Sequence, residues 1–139
     1  MDEALVLWWD GFERAADEED AFCSDARRPS WVPPNMGALA RAVRRTSLCR
    51  LFPFTSHALL CLSDREDFWQ AGLLGGQIAP AFVARTCEDG YLVHSGSAAE
   101  PHEASRVLVT HDAVVAAAQL ELLLAAWPPG RTGDLASSG

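Results

Sequence analysis

The chain predicts an α+β domain, an antiparallel sheet of about five strands with two N-terminal helices and a C-terminal helix packed on it. Apolar residues recur at helical spacing near both ends of the chain and gather in short extended blocks through its middle. The links between most of those blocks are too short for crossover helices, which leaves antiparallel pairing.

From Asp2, the positions Leu5, Trp8, Trp9, Phe12, Ala15 and Ala16 fall at three- and four-residue intervals and define a first amphipathic helix ending in the acidic run 17–20. Its aromatics read as a packing face, in the core or in a dimer. Residues 24–35, with Pro29, Pro33 and Pro34, read as a loop. A second helix is expected from Asn35, its N-cap, to Arg45, with Met36, Leu39, Ala40 and Val43 inward and Arg41, Arg44 and Arg45 mostly on the other side. Leu48–Phe52 and Ala58–Leu62 read as paired strands, with the turn set by Pro53, Thr55 and Ser56. Asp64–Leu74 fits a short helix or ordered loop stopped by Gly75-Gly76. Further strands are expected at Pro80–Thr86, Tyr91–His94 and Arg106–Val109. Thr110 is the expected N-cap of a last helix that ends at Trp127, before Pro128-Pro129-Gly130. Residues 1–130 then form one domain and residues 131–139 a disordered tail.

At 139 residues the chain can bury roughly two-thirds of its unfolded surface without staples. Its 49% hydrophobic and 22% charged content is that of an ordinary globular domain. No apolar run spans a bilayer, and the longest, Ala113 to Trp127, is broken by Gln119 and Glu121. The start Met-Asp-Glu lacks the basic region of a signal peptide, so a cytoplasmic location is expected. Cys23, Cys49, Cys61 and Cys87 form no C-x-x-C pair and read as small buried hydrophobes.

The net charge of −8 is unevenly laid out. Residues 1–25 hold nine acids against Arg14, and residues 26–57 hold six arginines and no acid. Those arginines either pair with the acidic helix, within the chain or across a dimer, or offer planar donor forks to a carboxylate or phosphate. Arg41, Arg45 and Arg50, with Phe54, are the candidate substrate contacts. The overall acidity argues against nucleic acid as a partner.

Chemically capable groups concentrate in Arg50-Leu51-Phe52-Pro53-Phe54-Thr55-Ser56-His57. Ser56 beside His57 suggests a nucleophile and base, but neighbours on a strand point to opposite faces, whereas Thr55 and His57 share one. A turn after Pro53 would break that alternation and leave His57 as a base bonded to Thr55 or Ser56. The competing reading is a structural histidine that ties down the turn. Glu100, His102 and Glu103 form a second group, in the loop 95–105, where Glu103 could exchange a proton with substrate. No two histidines or cysteines stand at a metal-ligating spacing, and the glycine pairs lack the strand-turn-helix setting of a phosphate cradle. Neither a metal nor a cofactor is expected.

The run Leu48-x-Arg50 to His57, with the strand Ala58–Ser63, Ile78-Ala79-Pro80, Gly90-Tyr91-Leu92-Val93 and Val109-Thr110-x-Asp112-Ala113-Val114, resembles an actinobacterial domain family known as natural-product biosynthesis proteins. The resemblance covers residues 38–130 and is sharpest at the aromatic-Pro-Phe-Thr-Ser-His motif. Family members carry a second aromatic and proline segment where this chain has Asp67-Phe68-Trp69. The absence of lysine, with all eleven basic residues arginine, agrees with a high-GC coding bias. The resemblance implies an accessory enzyme that tailors a modified ribosomal peptide by cofactor-free acid-base chemistry, of lyase, hydrolase or cyclase type. His57 or Glu103 would then move the proton, and Arg50 would anchor a substrate anion. The alternative is a non-catalytic peptide-binding or self-protection protein that holds a peptide at the sheet edge. The apolar faces of the first and last helices exceed what one sheet face covers, and a homodimer is expected.

Overall fold

The computed structural model describes residues 2–25, 27, 31–56, 58–65 and 78–128. Helix α1 (Glu3–Cys23) and helix α2 (Met36–Arg44) precede five strands, β1 (Phe52–Ser56), β2 (Leu59–Ser63), β3 (Ala81–Thr86), β4 (Gly90–Ser95) and β5 (Ser105–Thr110), and helix α3 (Ala113–Leu123) follows. The strands form one antiparallel sheet in the order β1-β2-β3-β4-β5. This is the expected α+β layout. The helix or loop expected at 64–74 falls almost wholly outside the described residues, as does the tail 131–139.

One face of the sheet carries the main core. Leu60, Leu62, Ala81, Val83, Tyr91 and Val93 pack there against Leu5 and Trp9 of α1, Met36, Leu39 and Val43 of α2, and Ala116, Ala117 and Leu120 of α3. The alternate positions Phe54, Cys61 and Phe82 form a smaller cluster, with Ile78, Ala98 and Ala104 packed against it.

α1 and α2 are joined by charge. Arg41 pairs with Asp17 at 2.6 Å and with Glu13 at 3.3 Å, and Arg44 pairs with Asp10 at 2.8 Å and also with Glu13. The segregation of acids and arginines along the chain is thus largely a pairing of two neighbouring helices. Asp20 adds a cap: its carboxylate accepts from the Met36 and Gly37 amides at 2.9 and 2.8 Å. Asn35 stands at the N-cap position of α2 but makes no side-chain cap bond, so the expected cap is replaced by an acid from the previous helix. Glycine leaves room for these carboxylates, since a Cβ on Gly37 would lie 2.6 Å from Asp17 Oδ1 and 2.9 Å from Asp20 Oδ2 and would push those side chains aside.

Three local readings are corrected. Leu48 to Arg50 are not strand: Thr46 caps a 3₁₀ turn over Ser47–Arg50, its hydroxyl accepting from the Leu48 amide. The strand begins at Phe52 and runs through Pro53 to Ser56, so Pro53, Thr55 and Ser56 do not form the turn. Proline is tolerated because β1 is an edge strand and position 53 faces outward, where no amide proton is needed. At α3 the N-cap is Asp112, which accepts from the Val114 and Val115 amides, whereas Thr110 accepts from Asp112.

Candidate functional site: a groove between the first helix and the sheet edge

α1 lies along the free edge of β1, and its two tryptophans fix the spacing. Trp9 is fully buried and shares its indole N–H between the carbonyls of Cys49 and Leu51, at 3.0 and 3.1 Å. Trp8 donates to the Pro53 carbonyl at 2.7 Å and stands edge-on to Phe52, ring centres 5.6 Å apart. Beyond Trp8 the helix presents Gly11 and Ala15, too small to reach the strand, and a groove of about 520 Å³ opens there. Leu7, Trp8, Phe12, Ala15 and Glu19 on one side face Pro53, Phe54 and Thr55 on the other. A Cβ built on Gly11 meets nothing within 4 Å, so the space is real at that position.

The backbone of β1 adds polar groups to this apolar cleft. Phe52, Phe54 and Ser56 stand opposite Ser63, Cys61 and Leu59, and the outward Pro53 carbonyl shows that the odd positions turn away from β2. Thr55 therefore directs both its N–H and its C=O to the edge. Thr55 is exposed. Pro53 has no N–H and its carbonyl is already taken by Trp8, so Thr55 supplies the edge pair that remains in β1.

The groove ends at Glu19, where a buried cation waits behind the helix. Arg85 lies on the core side of β3, in step with Ala81 and Val83, and its side chain is 0% exposed. It donates to Glu19 Oε2 at 2.9 Å, to the carbonyls of Ala58 and Pro33 at 3.2 and 3.1 Å, and to Asn35 Oδ1 at 3.2 Å. Tyr91, opposite Arg85 in the β3–β4 register, donates its hydroxyl to the Asn35 carbonyl at 2.6 Å. Burial pushes the Tyr91 hydroxyl from 10.0 up to about 12. One guanidinium thus ties together α1, β3, the segment before α2 and the β1–β2 turn. At that turn Ala58 holds φ +70°, a left-handed conformation that costs a residue with a Cβ about 1–2 kcal/mol.

The residues singled out from the sequence separate in space. Thr55 and Phe54 line the groove. Ser56, next along the strand, points to the opposite face from Thr55, and His57 lies outside the described residues. Arg50 donates to the Leu124 carbonyl at the end of α3, at 3.1 Å. Arg41 is engaged by Asp17 and Glu13, and its guanidinium holds the Asp17 carboxyl below the usual range. Arg45 is exposed at the end of α2. Glu103 is exposed in a 3₁₀ turn between β4 and β5, its carboxylate 4.0 Å from His102. Glu103 is not among the residues that line the groove with Thr55.

Trp8 as a groove wall, Gly11, Glu19 and Arg85 were not among those candidates. The inward position of Arg85 was visible in the alternation of β3, since a charge in step with two core residues must find a partner. Among the described residues no three His, Cys, Asp or Glu side chains gather into a metal-binding group. The four cysteines are free thiols, Cys61 buried and Cys87 exposed. No described helix is long and apolar enough to cross a membrane. Comparison with family models, with curated proteins and with solved structures finds no match.

Proposed function

We propose that this protein binds an extended, apolar peptide segment in the α1–β1 groove, adding it beside β1 as a further strand. The observation that carries this reading is the outward backbone pair of Thr55, unpartnered among the described residues, opening onto an apolar cleft. Main-chain bonds there would supply affinity, and the walls Trp8, Phe12 and Pro53 would supply side-chain contact. The groove from Trp8 to Glu19 is roughly 16 Å long at 1.5 Å per helical residue. That length takes about five extended residues at roughly 3.3 Å each. The resemblance of the Arg50–His57 run to natural-product biosynthesis proteins makes a ribosomal peptide intermediate the occupant of choice, in a cytoplasmic setting.

The tailoring-enzyme reading has one observation of its own. Ala58, beside His57, is held in a strained conformation of the kind that gathers at active sites. In that reading the bound segment is positioned for acid-base chemistry by His57, two residues along the chain from Thr55. The homodimer is a separate proposal. The tryptophan face of α1 is used within the chain, so the surface left for a second copy is on α3, where Val114 and Leu122 are 64% and 72% exposed.

The test is titration with peptides encoded beside the gene, following Trp8 fluorescence, the Thr55 amide and peptide mass. Binding should shift both the fluorescence and the amide, and a mass change would add catalysis. Gly11→Leu fills the groove where nothing else stands, so it should abolish binding without loss of fold. Undiminished binding by that variant would place the peptide elsewhere.

A further inference from the structure

If the groove holds a peptide, as proposed above, its ends are chemically unequal. Trp8 closes the end near the start of β1, where its indole already occupies the Pro53 carbonyl. The other end holds Glu19, the one charged side chain among the described residues that line the groove. Arg85 engages Oε2 of this carboxylate, and among the described residues Glu19 has no other hydrogen-bond partner. Its side chain is 36% exposed and belongs to the groove lining, so the carboxylate is not closed off from a ligand there.

The direction of the strand decides which part of a peptide meets this carboxylate. β1 runs from the Trp8 end toward the Glu19 end, since Trp8 meets Pro53 and Glu19 is linked through Arg85 to the Ala58 carbonyl just past the strand. With one residue offering both an outward N–H and an outward C=O, a single peptide residue placed antiparallel satisfies the two together. A parallel partner would have to use two residues to do the same. An antiparallel peptide begins at the Glu19 end, so its N-terminus arrives where the carboxylate waits.

Charge favours the same assignment. The guanidinium of Arg85 is divided among three neutral acceptors and Glu19, and among the described residues no basic side chain lines the groove. The adjoining helix is strongly acidic, with Glu18 exposed next to Glu19. An α-ammonium has three donors and one positive charge to match this end, whereas an acetylated terminus offers a single amide N–H and no charge.

We infer that Glu19 recognises the free α-ammonium of a peptide bound antiparallel to β1, and that the protein therefore acts on or guards a peptide with an unblocked N-terminus. The probes are two apolar pentapeptides of alanine, valine and leucine, identical except that one is N-acetylated, together with an acetylated peptide carrying lysine at its first position. The free-amine peptide should bind roughly tenfold tighter than its acetylated twin, the size of one charge-assisted hydrogen bond at a half-exposed site. That preference should vanish in Glu19→Gln and shrink in the wild-type protein between about 50 and 500 mM salt.

Equal binding of the free and acetylated twins, with the Thr55 amide shifting in both, would overturn the assignment to Glu19 and leave the groove standing. So would a preference for the lysine peptide over the free amine, or one that salt does not reduce. Failure of all three peptides to shift the Thr55 amide or Trp8 would sink the groove itself. The salt series uses the unaltered chain, so the inference stays testable if Glu19→Gln proves unstable.

Discussion

Replacing Arg85 by methionine keeps most of the buried stem and removes the guanidinium. The cost follows from what the head group leaves behind. The carbonyls of Ala58 and Pro33 and the Asn35 side-chain oxygen each lose a donor. A buried acceptor stripped of its partner costs about 1 kcal/mol or more. Glu19 also loses its counter-charge, but its side chain is 36% exposed and recovers much of the loss from water. The sum is about 3 kcal/mol, a large part of the 5–15 kcal/mol that holds an ordinary domain together. At roughly 3–5 °C per kcal/mol for a chain of this size, Tm should fall by about 10–15 °C. Urea unfolding of wild type and variant, with hydrogen exchange at the Leu59 amide as a local probe, is the assay. The turn beside Ala58 should exchange faster before the sheet does. Arg85→Lys should retain most of the loss, because one ammonium cannot span acceptors on three segments. A methionine variant within about 1 kcal/mol of wild type, or a lysine variant that restores full stability, would refute the clamp.

Ala58→Gly removes a Cβ from a left-handed residue and should stabilise by up to about 1 kcal/mol, whereas Ala58→Val should lose more than that; a fall in Tm for the glycine variant would show that φ +70° is not strained here. Asp20→Ala withdraws the acceptor of the Met36 and Gly37 amides and should cost about 1–2 kcal/mol in thermal unfolding, with an unchanged Tm counting against a cap supplied by α1. Burial pushes the Cys61 thiol from 9.0 up to about 12 and, with the rise at Tyr91 from 10.0 to about 12, gives the folded state the greater hold on its protons in alkali. Stability should be flat up to about pH 9 and fall as pH climbs toward 12, and Cys61→Ala should delay the onset to about pH 10; an identical alkaline profile in that variant would contradict the assignment.

Sequence patterning reached the layout of this fold because its elements obey their periods. The face Leu5, Trp9 and Ala16 of α1 and the alternation Leu60/Leu62 against Cys61 are local signals, and the structure keeps them. The boundary errors arise where a side chain redirects the backbone. An apolar block from Leu48 reads as strand until the Thr46 hydroxyl bends it into a 3₁₀ turn. Asn35 reads as a cap until Asp20, which is remote in sequence, takes its place.

The groove was less legible for a related reason. Thr55 and Phe54 stood out because they sit in a dense run, but what makes them a site is an absence of bulk at Gly11 and Ala15, on a helix whose packing against β1 no local pattern reports. Glu19 and Arg85 are separated by 66 residues and look unrelated along the chain. The acidic helix nevertheless left a usable trace. Arg41 and Arg44 neutralise its α2-facing side through Asp10, Glu13 and Asp17, and Asp20 is spent on the amides that open α2. The acid that remains beside the groove is half-satisfied by one buried arginine. A sequence that places nine acids against one base in its first 25 residues has more negative charge than its own fold consumes, and the groove end is where that surplus meets a free strand edge.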